Sequence, residues 1–199
     1  MLRHPAFSPG QRIGLFGGSF NPPHAGHLAI ASAALKRLQL DAVWWLVSPQ
    51  NPLKSSDDTA DFDKRMAQTN TLVRHPKMVV SDVEQQLGSA CTAETLSGMA
   101  HVLQTGRFVW IMGADSFAEL HRWYAWKALP ATLPLCIFDR PGHGLRALTS
   151  PAALTYADAR MDAADASLLA GSRLPAWAFI SWPLRPESST ALRKVPNGR

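Results

Sequence analysis

Two imidazoles three residues apart, His24 and His27, stand in the stretch GLFGGSFNPPHAGHL, residues 14–28. On a helix, residues at that spacing share a face, so both rings would aim at one ligand. Gly26 removes the side chain between them and lets a flat group such as a nucleobase lie against the backbone. Gly17 and Gly18 let a ligand approach the backbone just where an apolar run ends. A helix N-terminus supplies free N–H groups and partial positive charge, so phosphate is the chemistry that this arrangement fits. The spacing is neither GxGxxG nor a P-loop. A zinc pair is the other reading of two histidines, but no third ligand shows the usual spacing.

The elements that must position these rings follow from periodicity. RIGLF (12–16) is short and apolar and ends in glycines, which predicts a buried strand. Leu28, Ala31, Leu35 and Leu38 recur at spacings of three and four, predicting a helix from His24 to about Leu40. Further strands are expected at 42–48, 77–83, 107–113, 133–139 and 176–182, helices at 60–74, 92–104 and 189–194, and one or two short helices within 116–129. Residues 49–59 form a turn-rich loop, and 141–172 carries the weakest pattern. Alternating strands and helices with near-continuous apolar strands predict an α/β fold, a doubly wound parallel sheet covered on both faces. No internal repeat and no second domain boundary are visible, so residues 1–199 are expected to form one domain.

The composition sets the frame. Hydrophobic residues make up 46% and charged residues 18% of the 199, which describes an ordered globular chain rather than a disordered one. Lys plus Arg is 20 against 15 for Asp plus Glu, a net charge of +5 that suits an anionic ligand. No apolar run approaches the ~18 residues that a membrane-spanning helix needs. MLRHPAFSPGQR is too polar for a signal peptide, so a cytoplasmic protein is expected. Cys91 and Cys136 lack metal-site spacing and are expected to be free thiols.

Other segments carry weaker chemical signals. In SSTALR (188–193), Ser and Thr hydroxyls at a helix N-cap would add donors, and Arg193 one turn on could grip phosphate oxygens. In MGADSF (112–117), Asp115 could accept ribose hydroxyls at a strand end, cap a helix, or do both. Thr92 is a plausible N-cap, and Trp123 offers a face for stacking on a heterocycle or for core packing. Trp44, Trp45 and Trp110 fit the core. Lys54, a lone lysine in a loop, reads by itself as a solvated cation.

GGSFNPPHAGH (17–27) resembles the signature of the HxGH nucleotidyltransferase superfamily, and more narrowly that of the bacterial nicotinate-nucleotide adenylyltransferases. SSTALR is similar to that family's ISSTxIR element and MGADSF to its GxDS segment. CTAETL (91–96) and HRWYAW (121–126) resemble the elements that recognise the pyridine nucleotide, and NPLK (51–54) resembles the loop after the second strand. The resemblance covers 12–139 and 176–195. Asn21 stands where the family more often has Asp, Cys91 where it has Tyr, and Glu187 where it has an apolar residue.

The resemblance implies a Rossmann-like nucleotidyltransferase fold whose C-terminal SSTALR helix closes the ATP site. It implies catalysis by His24, His27 and Arg193. It implies ATP contacts from Gly17, Gly18, Ser19, Phe20, Gly26, Gly113, Asp115, Ser188, Ser189 and Thr190. It implies nicotinate mononucleotide contacts from Lys54, Thr92, Trp123 and Tyr124. Mg²⁺ would accompany ATP on its phosphates, with no protein ligand named. The partners implied are ATP and nicotinate mononucleotide, with no nucleic acid, no membrane and no set oligomeric state. Two alternatives stay open: another HxGH adenylyl- or cytidylyltransferase, such as one acting on phosphopantetheine, and a non-catalytic nucleotide-binding module.

Overall fold

A computed structural model describes residues 2–49, 60–89 and 91–181. The first half runs β1 (Arg12–Gly18), α1 (Ala25–Arg37), β2 (Ala42–Val47), α2 (Phe62–Leu72), β3 (Met78–Ser81), α3 (Val83–Gln86), α4 (Thr92–Gly98) and α5 (Ala100–Leu103). The second half runs β4 (Arg107–Gly113), α6 (Ala114–Glu119), α7 (Ala128–Thr132), β5 (Leu135–Phe138), α8 (Gly144–Leu148), α9 (Pro151–Thr155), β6 (Arg160–Met161) and β7 (Trp177–Ile180).

Among the described residues, seven strands join one parallel sheet in the order β3-β2-β1-β4-β5-β7-β6. Side chains alternate across it, as the strand period requires. Ile13, Leu15, Trp44, Leu46, Phe108 and Trp110 pack with α4, α6 and α7 on one face. Phe16, Val43, Trp45, Val47, Val109 and Ile111 pack with α1 on the other. Both faces are therefore dry, which explains why the strands read as unbroken apolar runs. Trp44 and Trp45 are fully buried and Trp110 is 2% exposed, as the sequence predicts.

The chain order reverses at β1 and β4, neighbours in the sheet whose following helices lie on opposite faces. A doubly wound sheet opens its ligand crevice there, beyond the strand carboxyl ends. The turns after Gly18 and Gly113 flank that crevice.

Four local differences from the periodicity have physical causes. The helix expected over 92–104 divides at Met99 into α4 and α5. Gly98 ends α4 where an added Cβ would meet the Leu87 side chain at 2.6 Å, so the gap is filled by packing. Thr92 is not the N-cap but the first helical residue, the cap being Cys91. The strand expected to reach 83 stops at Ser81, and α3 starts at once. The weakly patterned 141–172 contains α8, α9 and the two-residue β6, which pairs parallel with β7.

Candidate active site

His24 is the N-cap of α1, with extended backbone at φ −149° and ψ 171°. Its Nδ1 accepts the Gly26 backbone N–H at 3.1 Å. The His24 backbone N–H in turn donates to His27 Nδ1 at 3.3 Å, so the two residues form a reciprocal capping box. Imidazole has one acceptor nitrogen at most, and imidazolium has none. With both Nδ1 atoms accepting, each ring proton sits on Nε2. Both rings thus present an Nε2–H donor, which is the form that can meet a phosphate oxygen. The ring centroids lie 3.7 Å apart with planes inclined by 32°.

The surroundings hold that pair in place. Phe20 is buried, has a left-handed backbone (φ 44°), and packs edge-on against His27 with centroids 5.1 Å apart. Few non-glycine residues adopt that conformation, and it turns the chain sharply between β1 and the capped helix. Ser19 is half-buried in the same turn. Gly17 has a packing role that its sequence context hides. A Cβ there would meet the Trp110 indole at 2.6 Å, so the missing side chain makes room for the tryptophan of the neighbouring strand. A Cβ at Gly18 would meet the Phe20 ring at 3.1 Å. Gly26 is buried in the first turn of α1.

Across the crevice, Gly113 is the N-cap of α6, and Asp115 lies in the first turn without capping it. Asp115 Oδ2 accepts from Arg140 Nη1 at 2.9 Å, a partner the sequence did not suggest. A Cβ at Gly113 would meet Asp115 Oδ1 at 2.4 Å, so glycine is what admits the carboxylate here.

Thr92 opens α4, which packs against α7. The turn leading into α7 carries Trp123, half-buried on the same apolar cluster as Leu96. The structure thus brings Thr92's helix and the Trp123 segment together. Tyr124 is 69% exposed, and Ala125 beside it has φ 44°. Lys54, Ser188, Ser189, Thr190 and Arg193 lie outside the described residues.

Two polar residues, Arg65 and Glu84, escaped the sequence reading. Arg65, fully buried in α2, donates to the carbonyls of Ala60, Ser19, Ser48 and Pro49. Burial lowers its pKa, and the nearby Asp61 charge works against that shift. Position 65 shares a helix face with Phe62, Met66 and Thr69, so a cation on the apolar stripe of FDKRMAQT was the available signal. Glu84, in α3, is 4% exposed and meets the Ser48 and Thr95 hydroxyls. Burial pushes its carboxyl pKa up to about 7 against those two hydrogen bonds. Asn21 is buried, and its Oδ1 accepts the Ala60 N–H at 3.2 Å. An amide therefore suffices at that position for joining the β1 turn to the entry of α2. Both thiols are free, Cys136 buried and Cys91 half-buried. No three His, Cys, Asp or Glu side chains gather as a metal site among the described residues.

The Cytidylyltransferase-like family profile matches residues 15–195. A protein of Cereibacter sphaeroides named "Probable nicotinate-nucleotide adenylyltransferase" is 52% identical over 94% of this chain and 99% of its own. The chain belongs to the nicotinate-nucleotide adenylyltransferase family. A Rhizobium meliloti protein of the same printed name is 47% identical over 94% of this chain and 99% of its own. Among solved structures, Plasmodium falciparum nicotinic acid mononucleotide adenylyltransferase complexed with NaAD has TM-score 0.69 at 17% identity, over 92% of this chain and 83% of that one. At that identity the likeness speaks for the fold, and it agrees with the parallel sheet and its switch point. Among the described residues no helix is long and apolar enough to cross a membrane.

Proposed function

We propose that this chain transfers the adenylyl group of ATP to nicotinate mononucleotide, giving nicotinate adenine dinucleotide and pyrophosphate. The observation that carries the reaction class is the histidine capping box, with both Nε2–H donors at a helix start beside the switch point. Family membership over nearly the whole chain carries the substrate.

In the proposed reaction, a 5′-phosphate oxygen of nicotinate mononucleotide attacks the α-phosphorus of ATP in line. The new P–O bond forms as the bond to the bridging α–β oxygen breaks, and pyrophosphate leaves with that electron pair. The nucleophile is already anionic, so no general base is needed. Catalysis is then positioning plus stabilisation of charge on the phosphates. His27 Nε2–H meets the α-phosphate, and His24 Nε2–H an adjacent oxygen. Gly17, Gly18, Ser19, Phe20 and Gly26 form the wall beside the ATP phosphates. Ser188, Ser189, Thr190 and Arg193 hold the β- and γ-phosphates, and the SSTALR segment closes that site within a single domain.

Gly113 and Asp115 serve the ATP ribose, with Arg140 holding the Asp115 carboxylate. Trp123 stacks on the pyridine ring, the Thr92 hydroxyl and N–H meet the nicotinate carboxylate, and Tyr124 and Lys54 flank the mononucleotide. The divalent metal, Mg²⁺, enters with ATP as part of the substrate and takes phosphate and water oxygens. A cytoplasmic location goes with a reaction that consumes ATP.

One incubation tests this reading. The protein, ATP and Mg²⁺ are mixed with nicotinate mononucleotide, nicotinamide mononucleotide and phosphopantetheine in competition, and products are identified by mass. Nicotinate adenine dinucleotide as the main product is expected. Adenylylated phosphopantetheine, or no adenylylated product at all, would overturn it.

A further inference from the structure

A buried polar chain joins the histidine turn to the first turn of α4. It starts at the Ser19 carbonyl, in the turn that leads to His24, which accepts from Arg65 Nη1 at 2.8 Å. The same nitrogen donates to the Ser48 carbonyl at 2.6 Å, just past the end of β2. The Ser48 hydroxyl hydrogen-bonds the Glu84 carboxyl group, which also meets the Thr95 hydroxyl. Thr95 Oγ1 lies 3.3 Å from the carbonyl of Cys91, the N-cap of α4 and the neighbour of Thr92. Arg65, Ser48, Glu84 and Thr95 are all buried.

We propose that this chain is a positioning device: Arg65, Ser48, Glu84 and Thr95 set the spacing between the histidine turn and the first turn of α4, and so align the two substrates for in-line attack. The proposal rests on the reading of function given above, because it needs a phosphate on one side and an acceptor on the other.

Two physical arguments favour alignment over mere stability. Burying a guanidinium and a carboxyl group is expensive, and apolar side chains of similar volume commonly hold elements together as well or better. A fully bonded polar network instead selects one geometry, because every slip leaves a buried donor or acceptor unmade. One end of this network stops at the carbonyl of Ser19, which is itself assigned to the wall beside ATP, and the other at the carbonyl of Cys91, next to Thr92.

The test cuts the chain at two places with near-isosteric changes, Ser48→Ala and Thr95→Val, alone and together. Neither residue is assigned to a substrate. For each purified full-length variant, kcat is measured with saturating ATP and nicotinate mononucleotide, and Kd is measured for each substrate alone. A misplacement of the reactants by about an ångström costs on the order of 100-fold in rate. Each single change is therefore expected to lower kcat by about 10- to 100-fold, with the separate Kd values unchanged. The double variant falls no further than the worse single one, since one cut already severs the connection.

Wild-type kcat in either single variant would overturn the proposal. So would fully multiplicative losses in the double variant, or losses confined to the Kd of one substrate. Wild-type protein inactive on nicotinate mononucleotide would instead overturn the reading of function, so the two failures are told apart by the control.

Discussion

His24 and His27 cap one another: the His24 ring accepts the Gly26 N–H, and the His27 ring accepts the His24 N–H, with ring centroids 3.7 Å apart. These two hydrogen bonds do two jobs, starting the helix and fixing both ring protons on Nε2. The two jobs separate by mutation. Asparagine is a good N-cap but has no atom in the place of Nε2. His24→Asn is therefore expected to keep the thermal midpoint near wild type while kcat falls about 100- to 1,000-fold, the usual loss for one donor to a transition-state oxyanion. Calorimetry and steady-state kinetics on the same preparation check it, and retained turnover would exclude His24 from the chemistry.

Gly17 makes a different prediction from the one its place in a glycine turn suggests. The space its Cβ would take holds the Trp110 indole. Gly17→Ala should lower stability by about 1–3 kcal/mol, the usual range for overpacking. Denaturant titration reads that directly. Shrinking the indole in a Gly17→Ala/Trp110→Phe double variant should recover part of the loss.

Glu84 predicts a pH-dependent stability. Its carboxyl pKa is pushed from 4.5 up to about 7 by burial. Between those values the folded protein holds a proton that the unfolded chain has released. Stability therefore falls as pH rises through that window, and the dependence is complete above pH 7. Glu84→Gln has no such proton. The variant should gain roughly 3 kcal/mol on wild type between pH 4.5 and 7. Urea midpoints at several pH values measure it, and parallel profiles for the two proteins would contradict it.

Trp123 and Trp126 are both half-buried on one cluster, but only Trp123 is assigned to the pyridine ring. Stacking of an aromatic side chain on a base is worth about 1–3 kcal/mol, so Trp123→Ala should raise the KM for nicotinate mononucleotide about 10- to 100-fold. The KM for ATP should not move. Trp126 packs edge-on with Tyr156 at 5.9 Å, so Trp126→Ala should lower the thermal midpoint and leave both KM values in place.

Much of this was readable from residue types. The alternation of β1, α1 and β2 was legible because both faces of the sheet are dry and each strand is one apolar run. That the His24 and His27 rings meet was legible from their spacing, but they meet through a capping box, His24 being the extended N-cap of α1 and not a helical residue as expected. Arg65 and Glu84 were not legible, because a lone charge in a helix reads as solvated unless its neighbours in space are known. Their partners are backbone carbonyls and hydroxyls from other elements, which leave no mark on the local pattern. Strand β6 was missed because two residues are too few to show a period. Asp115 was read as a cap or a ribose acceptor, and its Arg140 partner sits 25 positions away.

The sheet finally acts as a partition. The histidine helix α1 packs on one of its faces, while α4 and the Trp123 turn pack on the other. In the proposed reaction the donor's phosphate reader and the acceptor's reader therefore grow from opposite sides of one wall and meet at its rim.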